Sequence, residues 1–484
     1  MLIVLLWRAF PVEAEPALQT DLETNLDGYL TDHMARLKIP GAAVGIVQGD
    51  QVILLKGYGT ADAGRTQPVT PQTPFYLASV SKSFTALGIM QLVEAGKLEL
   101  DAPVREILPW FQVQGAGAET MTVRHLLHQT SGLSERGGYI RNLEPDGLTA
   151  LETSIRNLAD DRLHRVPGTD FEYSNTNFDV LGLIIETVSG QAYGEYVQEH
   201  IFTPLEMSHA YTTLDEARAN GMASGFYPFF GYAVPSMRWM PYTLAVRPSA
   251  GLIASAEDMT HYVLAQLNGG RYQEAQILSA AGIETLHTPG VSLGNDVGYA
   301  MGWLTWSFEE AARAGESVPG AVSHIGTWTG FTSNVVLIPE KQIGIVLLLN
   351  SGDETRGSEY FRLGWDVALL ALDQPPLAFA PSEDFVLRNG RWIGLGLILL
   401  LGVENFLFFQ RKPGMALTFL FFFIDLALVA YLFFVLLPEN NSTLPLTWAF
   451  APDIAVLYGV ILFFTAGLGT LRTGWRLWKL REAS

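Results

Sequence analysis

Between residues 21 and 371, apolar and polar positions switch between a strand period and a helix period. Short apolar runs flank the turn pair Gly49-Asp50 and predict a β-hairpin near the N-terminus. A second pair of strand-like runs flanks Glu340-Lys341, and runs with helical periodicity lie between the two pairs. The sequence therefore predicts a mixed α/β domain whose sheet is closed by strands from both ends, with a helical insert. The runs are Ala42–Val47, Gln51–Leu55, Phe84–Ala95, Phe178–Val188, Asn334–Pro339 and Gln342–Asn350.

Beyond residue 391 the pattern changes to three long apolar runs separated by short polar breaks. Each run is close to the roughly 20 residues that a helix needs to cross a bilayer. Lys and Arg occur in the first break and after the third run, whereas the second break has neither. By the positive-inside rule, the first break and the C-terminus face the cytoplasm and the preceding domain lies outside. The runs are Trp392–Phe409, Met415–Leu437 and Ala449–Thr470.

These changes of pattern divide the chain into four segments. The apolar stretch Leu2–Trp7, followed by Val12-Glu13-Ala14, is similar to the end of a signal peptide; an ordinary buried strand or helix is the alternative. Residues rich in Pro and Ala then lead toward the membrane runs. We expect a signal-peptide remnant or N-terminal lead (1–20), an α/β domain (21–371), a linker (372–391), and three transmembrane helices with a short basic cytoplasmic tail (392–484).

Composition narrows the classes of partner. The 484 residues are 49% hydrophobic and include no cysteine, which excludes disulfides, thiolate metal ligands and cysteine nucleophiles. Nucleic acid requires a basic face on its partner, and the net charge of −19 argues against such a face. We therefore expect no nucleic-acid partner. Glu404, Asp425 and Asp453 lie in or near the apolar runs. Interhelical hydrogen bonding by protonated acids is the favoured interpretation, and a proton or ion path is the alternative.

Candidate chemistry begins at Ser79-Val80-Ser81-Lys82, which opens the first helical run. Residues three apart lie on one face of a helix, so the Ser79 hydroxyl and the Lys82 amine can meet. A hydroxyl is a weak nucleophile until a base takes its proton. Lys82 serves as that base only when burial or nearby positive charge lowers its pKa. Because isolated patterns of this kind occur on many capped surface helices, the interpretation needs partners elsewhere.

The first partner is Tyr173-Ser174-Asn175, which lies on a polar turn before the second helical run. The phenol of Tyr173 can share a proton with Lys82. The side chain of Asn175 can hold an amide of the substrate. These residues supply the proton relay and the substrate contact that the serine and lysine alone lack.

The second partner is a strand-like stretch that begins at His324-Ile325-Gly326 and continues through Thr327. The edge of such a strand can align the backbone of a substrate by β-addition. The backbone N–H groups of Ser79 and Thr327 then form an oxyanion hole for the reacting carbonyl. The mechanism needs no metal ion and no cofactor.

With these motifs, the chain resembles serine hydrolases of the class C β-lactamase and penicillin-binding protein type. Relatives of this type include DD-carboxypeptidases, D-aminopeptidases and carboxylesterases. The resemblance covers roughly Ile39–Ser351 and implies an antiparallel sheet flanked by helices with a helical subdomain. Outside the three motifs it rests on Ile39-Pro40-Gly41, Lys56-Gly57-Tyr58-Gly59, the stretch His125–Leu133, Pro204-Leu205-Glu206-Met207, Ala250-Gly251-Leu252 and Gly302-Trp303.

The resemblance also implies roles for individual residues. His125 and His128 are interpreted as structural members of a family motif. The implied catalytic set consists of Ser79 as the acylated nucleophile, Lys82 and Tyr173 as the base pair, the backbone of Ser79 and Thr327 as the oxyanion hole, and Asn175, His324 and Gly326 as substrate contacts.

One departure concerns the third motif, where His324 stands in place of the lysine of class C β-lactamases. That lysine contacts the carboxylate of a β-lactam, and a mostly neutral histidine does so less strongly. A hydrolase domain followed by three membrane helices is also similar in layout to membrane-anchored D-amino peptidases that remove an N-acyl-D-residue cap. We expect a membrane-anchored, extracytoplasmic peptidase for D-amino-acid-containing or N-acylated peptides. The alternatives are a carboxylesterase or lipid-acting hydrolase, and a β-lactam or peptidoglycan sensor with slow deacylation.

A stretch dense in aromatic residues separates the second and third motifs. It comprises Gly225–Tyr232 and continues to Met240-Pro241-Tyr242. Such a stretch can cover the cleft and select an acyl chain, or touch the bilayer. Packing in the core beneath a long loop is the equally weighted alternative.

Overall fold

The structure is a computed structural model that describes residues 22–134, 150–236, 244–307, 319–353, 356–376, 385–411, 415–431, 452–471, 473–475 and 478. The expected N-terminal lead, 1–20, lies outside these residues. The chain divides into two compact units. The second unit consists of Phe379–Ser484 with two short segments, Phe229–Tyr232 and Asp353–Arg356, and the first unit contains the rest.

An eight-stranded antiparallel sheet forms the centre of the first unit. Its strands are β1 (Gly41–Gln48), β2 (Gln51–Gly59), β9 (Val291–Gly294), β10 (Val297–Tyr299), β11 (Leu304–Trp306), β12 (Ala321–Trp328), β13 (Phe331–Ile338) and β14 (Ile343–Leu349). The strands outside this sheet are β3 (Phe75–Tyr76), β4 (Phe226–Phe229), β5 (Tyr232–Pro235), β6 (Ile253–Ala254), β7 (Arg271–Tyr272) and β8 (Ala275–Gln276). The order in the sheet is β2-β1-β14-β13-β12-β11-β10-β9. Strand β1 pairs with β14, with Ala42 opposite Leu349, so strands from the two ends of the domain adjoin as predicted.

Strands β1 and β14 are apolar at nearly every position because helices cover both faces of the sheet. Every residue of β13 and β14 is buried. Leu26 and Leu30 of the first helix and Tyr360 of the last pack on one face, and the helix Ala256–Leu267 lies against β1 and β14. The helices of this unit are α1 (Leu22–Leu37), α2 (Ser81–Glu94), α3 (Val104–Ile107), α4 (Val123–Leu127), α5 (Ala150–Arg156), α6 (Asn175–Ser189), α7 (Tyr193–Val197), α8 (Leu214–Ala219), α9 (Arg247–Ala250), α10 (Ala256–Leu267), α11 (Ala280–His287) and α12 (Gly357–Ala371).

Both predicted motif helices begin three residues earlier than the apolar periodicity indicates. Helix α2 begins at Ser81 rather than Phe84, and α6 begins at Asn175 rather than Phe178. Polar residues fill these first turns, so hydrophobic periodicity alone does not reveal them. As a consequence, Lys82 lies on a helix, and Ser79 lies in the 3₁₀ turn Ala78–Val80 immediately before it.

The second unit contains α13 (Phe385–Arg411), α14 (Met415–Tyr431) and α15 (Pro452–Leu462), which continues as a π-helical segment over Phe463–Gly469. Within the described part of the chain, only the helix Asp453–Trp475 is long and apolar enough to cross a membrane, with a mean hydropathy of 2.1. The apolar stretch Leu420–Ala430 is shorter. By this measure one of the three predicted spans is found, and the multi-pass arrangement stays a prediction.

The expectation for Asp453 is corrected in the same unit. Asp453 was interpreted as one of three acids that hydrogen-bond in protonated form. Instead, its buried carboxylate accepts a hydrogen bond from the Arg391 guanidinium, whose Nη2 lies 3.1 Å from both carboxylate oxygens of Asp353. The sequence did not indicate this pairing, because the two partners of Arg391 lie 38 and 62 positions away from it.

Candidate active site

Lys82 is the centre of the candidate active site. Its side chain is fully buried, and Nζ donates hydrogen bonds to Ser79 Oγ at 3.1 Å, Asn175 Oδ1 at 2.6 Å and the Ser249 carbonyl at 2.8 Å. These three acceptors are neutral oxygens. A carboxylate would hold the ammonium proton far more strongly than they do. The arrangement therefore brings an amine into hydrogen-bonding contact with a half-buried serine hydroxyl.

Tyr173 lies beside this amine. Its ring centroid is 4.8 Å from Lys82 Nζ, close enough for a cation–π contact. The Gln129 backbone carbonyl accepts a hydrogen bond from Glu172 N, and the Gln129 side-chain oxygen accepts one from Ser174 N, both at 2.9 Å. Gln129 thus fixes the backbone on both sides of Tyr173. Its own backbone is left-handed, with φ of 58°.

Strand β12 brings the third motif against the 3₁₀ turn that carries Ser79. Gly326 lies opposite Ser333 of β13, and the Ser333 hydroxyl donates to the Leu77 carbonyl. A β-carbon on Gly326 would overlap that carbonyl oxygen and lie 2.9 Å from Ser79 N. Only a residue without a side chain permits this approach. The strand therefore lies beside the Ser79 amide, and Thr327 follows directly along it.

His324 lies on the same strand, two positions before Gly326, and is only 4% exposed. Its Nδ1 lies 2.7 Å from the Ile325 carbonyl, so Nδ1 carries the proton, and no donor among the described residues reaches the lone pair of the buried Nε2. Burial and the positive charge of Lys82 lower the pKa of His324 to about 3, against the opposing effect of the Ile325 carbonyl. The ring is therefore neutral at pH 7. Its proposed contact with substrate stays a prediction, because this side chain is enclosed.

We expect the protein to lose stability as the pH falls from about 6.5 toward 3. Burial lowers the pKa of His128 and His287 to about 4, and that of His324 to about 3. Across this window the unfolded chain binds protons that the folded chain does not, and each pKa unit is worth about 1.4 kcal/mol. The midpoint of thermal unfolding should fall less steeply with acidification in His324→Gln than in wild type. The exposed His164→Gln is the matched control, and identical slopes in all three proteins would contradict the burial of a neutral His324.

The remaining sequence expectations are met unevenly. His125 completes a capping box with Thr122 at the start of α4, and His128 is buried, which are the structural roles expected of them. The sequence did not predict Ser249 as a hydrogen-bond acceptor of Lys82, because the accepting group is its backbone carbonyl, which every residue has. Gln129 was foreseen only as part of a family motif. Among the described residues, no cluster of three or more His, Cys, Asp or Glu side chains suited to a metal ion occurs.

Different parts of the aromatic stretch agree with different interpretations: packing in the core, or contact with substrate or bilayer. Phe226 and Tyr227 are buried, which agrees with core packing. Phe229–Tyr232 belongs to the second unit, and Tyr232 is 76% exposed. Met240-Pro241-Tyr242 lies outside the described residues.

Comparison with known proteins places this geometry in a family. A family profile described as Beta-lactamase matches residues 26–369. Protein flp of Staphylococcus aureus (strain MW2) is 33% identical over 344 residues, 70% of this chain and 65% of flp, so the match spans just under two thirds of that relative. PbpX, named as a candidate penicillin-binding protein of Bacillus subtilis (strain 168), is 29% identical over 62% of this chain and 68% of its own. The octameric penicillin-binding protein homologue from Pyrococcus abyssi superposes with a TM-score of 0.61 at 27% identity, over 73% of this chain and 78% of that one.

Proposed function

The chain belongs to the beta-lactamase family, and we propose that it is a serine hydrolase in which Ser79 forms an acyl-enzyme. The proposed substrates are peptides that contain a D-amino acid or an N-acyl group. The observation that carries the proposal is the contact of the buried Lys82 amine with both Ser79 Oγ and Asn175 Oδ1. An amine in hydrogen-bonding contact with the hydroxyl is placed to take the serine proton when the amine itself is neutral.

The proposed reaction has two steps. Ser79 Oγ attacks an amide carbonyl while Lys82 and Tyr173 remove its proton, and the oxyanion is held by the backbone N–H groups of Ser79 and Thr327. The leaving amine takes a proton through Tyr173. Water then attacks the ester carbonyl, the bond to Ser79 Oγ breaks, and the proton returns to the serine. The position of Gly326 beside Ser79 N supports the oxyanion assignment.

The choice of substrate class rests on His324. A neutral imidazole cannot supply the positive charge with which the lysine of class C β-lactamases contacts a carboxylate. The pKa of His324, lowered to about 3, keeps the ring neutral throughout the physiological range. With His324 in place of that lysine, position 324 supplies no positive charge for a β-lactam or for a peptide with a free carboxylate, which favours neutral peptides.

The proposal places the enzyme at a membrane, with its catalytic domain outside. The apolar helix Asp453–Trp475 supports an anchor, as do side chains exposed on α13, among them Trp392, Leu399 and Phe406, each more than 60% exposed. Burial of such side chains in lipid removes apolar surface from water. Two further spans, the cytoplasmic C-terminus and the expected signal peptide belong to this proposal.

The test is product analysis of the full-length protein in detergent. Wild type and Ser79→Ala are incubated with N-acyl-D-aminoacyl amides, their L-counterparts, short esters and a β-lactam, and products are identified by mass spectrometry. We expect cleavage of the D-amides by wild type and none by Ser79→Ala. Ser189→Ala, which alters a hydroxyl at the end of α6, is the matched control and should retain wild-type rates.

Three other outcomes would redirect the proposal. Serine-dependent cleavage of esters alone would identify a carboxylesterase or lipid-acting hydrolase. A Ser79 adduct with the β-lactam that persists without turnover would identify a sensor. Equal cleavage by wild type and Ser79→Ala would remove Ser79 from the mechanism.

A further inference from the structure

The turn between β4 and β5 is an aromatic tip that the catalytic proposal does not use. It consists of Phe229–Tyr232, and the left-handed Phe230 and Gly231, with φ of 45° and 84°, form its bend. The rings of Phe229 and Phe230 meet edge to face with centroids 5.1 Å apart. Tyr232 is 76% exposed, the most exposed large hydrophobic side chain among the described residues. We call this segment the aromatic tip.

The aromatic tip is attached to the beginning of the membrane-spanning candidate. Phe230 N donates a hydrogen bond to Asp453 Oδ2 at 3.1 Å, and Asp453 is the first residue of the apolar helix Asp453–Trp475. The same carboxylate accepts a hydrogen bond from the guanidinium of Arg391, which directly precedes Trp392 of α13. One buried carboxylate therefore holds the tip and two helices at a common level of the second unit.

Beyond this level, both helices run in the same direction and carry apolar surface. A β-carbon on Gly394 would lie 2.9 Å from Leu457, so α13 and α15 lie side by side one turn past the Arg391–Asp453 pair. Exposed apolar side chains follow along both helices, as far as Phe406 and Leu471. Leu471 lies about 27 Å from Asp453 at 1.5 Å per residue, close to the thickness of a hydrocarbon core.

This arrangement has the layering of a membrane interface. The charged groups Arg391 and Asp453 lie at one level, and exposed aromatic rings lie beside them in the sequence. The apolar parts of α13 and α15 extend from that level in one direction. Tyr and Trp rings favour the headgroup region, where their apolar body and polar edge are both satisfied. Trp392 is 69% exposed on α13 and Tyr232 is 76% exposed on the tip, and both follow residues that contact Asp453. The tip is thus placed where the bilayer surface would begin.

We propose that the aromatic tip, Phe229–Tyr232, inserts into the outer headgroup region of the bilayer that the C-terminal helices span. This rests on the membrane anchor of the proposed function. It adds a contact from a segment more than 150 positions before the first membrane run. The lipid surface is the occupant because the tip is fixed to the end of a helix with the length and hydropathy of a span.

Site-directed spin labelling tests this directly, because the chain has no cysteine and every introduced cysteine is unique. Tyr232→Cys, Leu399→Cys and Glu274→Cys are labelled with a nitroxide and reconstituted as full-length protein in phosphatidylcholine–phosphatidylglycerol vesicles. Leu399 reports the anchor. Glu274, with a side chain 99% exposed at the turn between β7 and β8, reports water. The accessibilities of each label to oxygen and to a water-soluble nickel chelate are compared.

We expect the Tyr232 label to show a several-fold higher ratio of oxygen to nickel accessibility than the Glu274 label. The Leu399 label should show the highest ratio. A Tyr232 ratio equal to that of Glu274, with Leu399 in lipid, would overturn the tip insertion and leave the anchor standing. A Leu399 label as accessible to nickel as Glu274 would overturn the anchor and the tip together. Labelling of Ser79 by a fluorophosphonate in every variant verifies the fold of the first unit.

Discussion

Replacing Lys82 by Met is expected to lower the rate of Ser79 acylation about a thousand-fold or more, since a positioned general base contributes roughly 10² to 10⁴. The amine is the group in hydrogen-bonding contact with Ser79 Oγ, at 3.1 Å. Met is close to Lys in length but takes no proton. The measurement is single-turnover formation of the acyl-enzyme with a fluorophosphonate and with the best amide from the substrate panel.

Lys82→Met is expected to fold with reduced stability, which its midpoint of thermal unfolding measures. Loss of the ammonium leaves Asn175 Oδ1 and the Ser249 carbonyl without this donor, at a cost of about 1–3 kcal/mol for each group. Removal of a charge from a fully buried position offsets part of that cost. Lys97→Met, an exposed lysine just beyond the end of the same helix, is the matched control. If Lys82→Met acylates within tenfold of wild type while Lys97→Met is unchanged, Lys82 is not the base.

The sheet was predictable because buried strands leave long apolar runs in the sequence. The runs Ala42–Val47 and Gln342–Asn350 indicated strands at both ends of the domain, and β1 and β14 pair as expected. The residues at which the helices begin were harder to predict from the sequence. The first turns of α2 and α6 are polar and include Lys82 and Asn175. Hydrophobic periodicity therefore does not reveal that these turns are helical.

The proximity of the motif residues was predictable from the sequence, whereas the groups that hold them in place were not. Side-chain identity and spacing single out Ser79, Lys82 and Tyr173, since the chemistry requires those residue types. The Ser249 carbonyl contacts Lys82 from 167 positions away through a group that every residue possesses. The burial of the His324 side chain was equally hard to predict. Strand alternation places His324 on the same face of β12 as Gly326, but its enclosure depends on neighbours from other elements.

The C-terminal region illustrates a different limit. Hydropathy marks apolar runs, but it does not show which polar groups meet at their ends. The buried contacts of Arg391 with Asp353 and Asp453 join residues far apart in the sequence. The expectation that Asp453 hydrogen-bonds between helices without a basic partner was wrong, because Arg391 lies just outside the apolar runs, at the residue before Trp392.

Replacing Gly326 by Ala is expected to lower kcat by about a hundred-fold, because a misplacement of about 1 Å at a reacting group or the loss of an oxyanion donor costs roughly that much. The added methyl would overlap the Leu77 carbonyl and approach Ser79 N to 2.9 Å. These are backbone atoms, so the strand and the nucleophile turn must move apart. KM should change less than kcat, since the oxyanion forms only during reaction.

The control for this variant is Gly28→Ala in α1, where an added methyl meets no atom within 4 Å. Because Ala favours a helix over Gly by about 1 kcal/mol, Gly28→Ala should keep full activity and unfold at the same or a higher temperature. Steady-state kinetics and thermal unfolding of both variants make the comparison. A Gly326→Ala enzyme with the kcat of wild type would show that β12 does not border the reacting carbonyl, and the oxyanion assignment of Thr327 would fall with it.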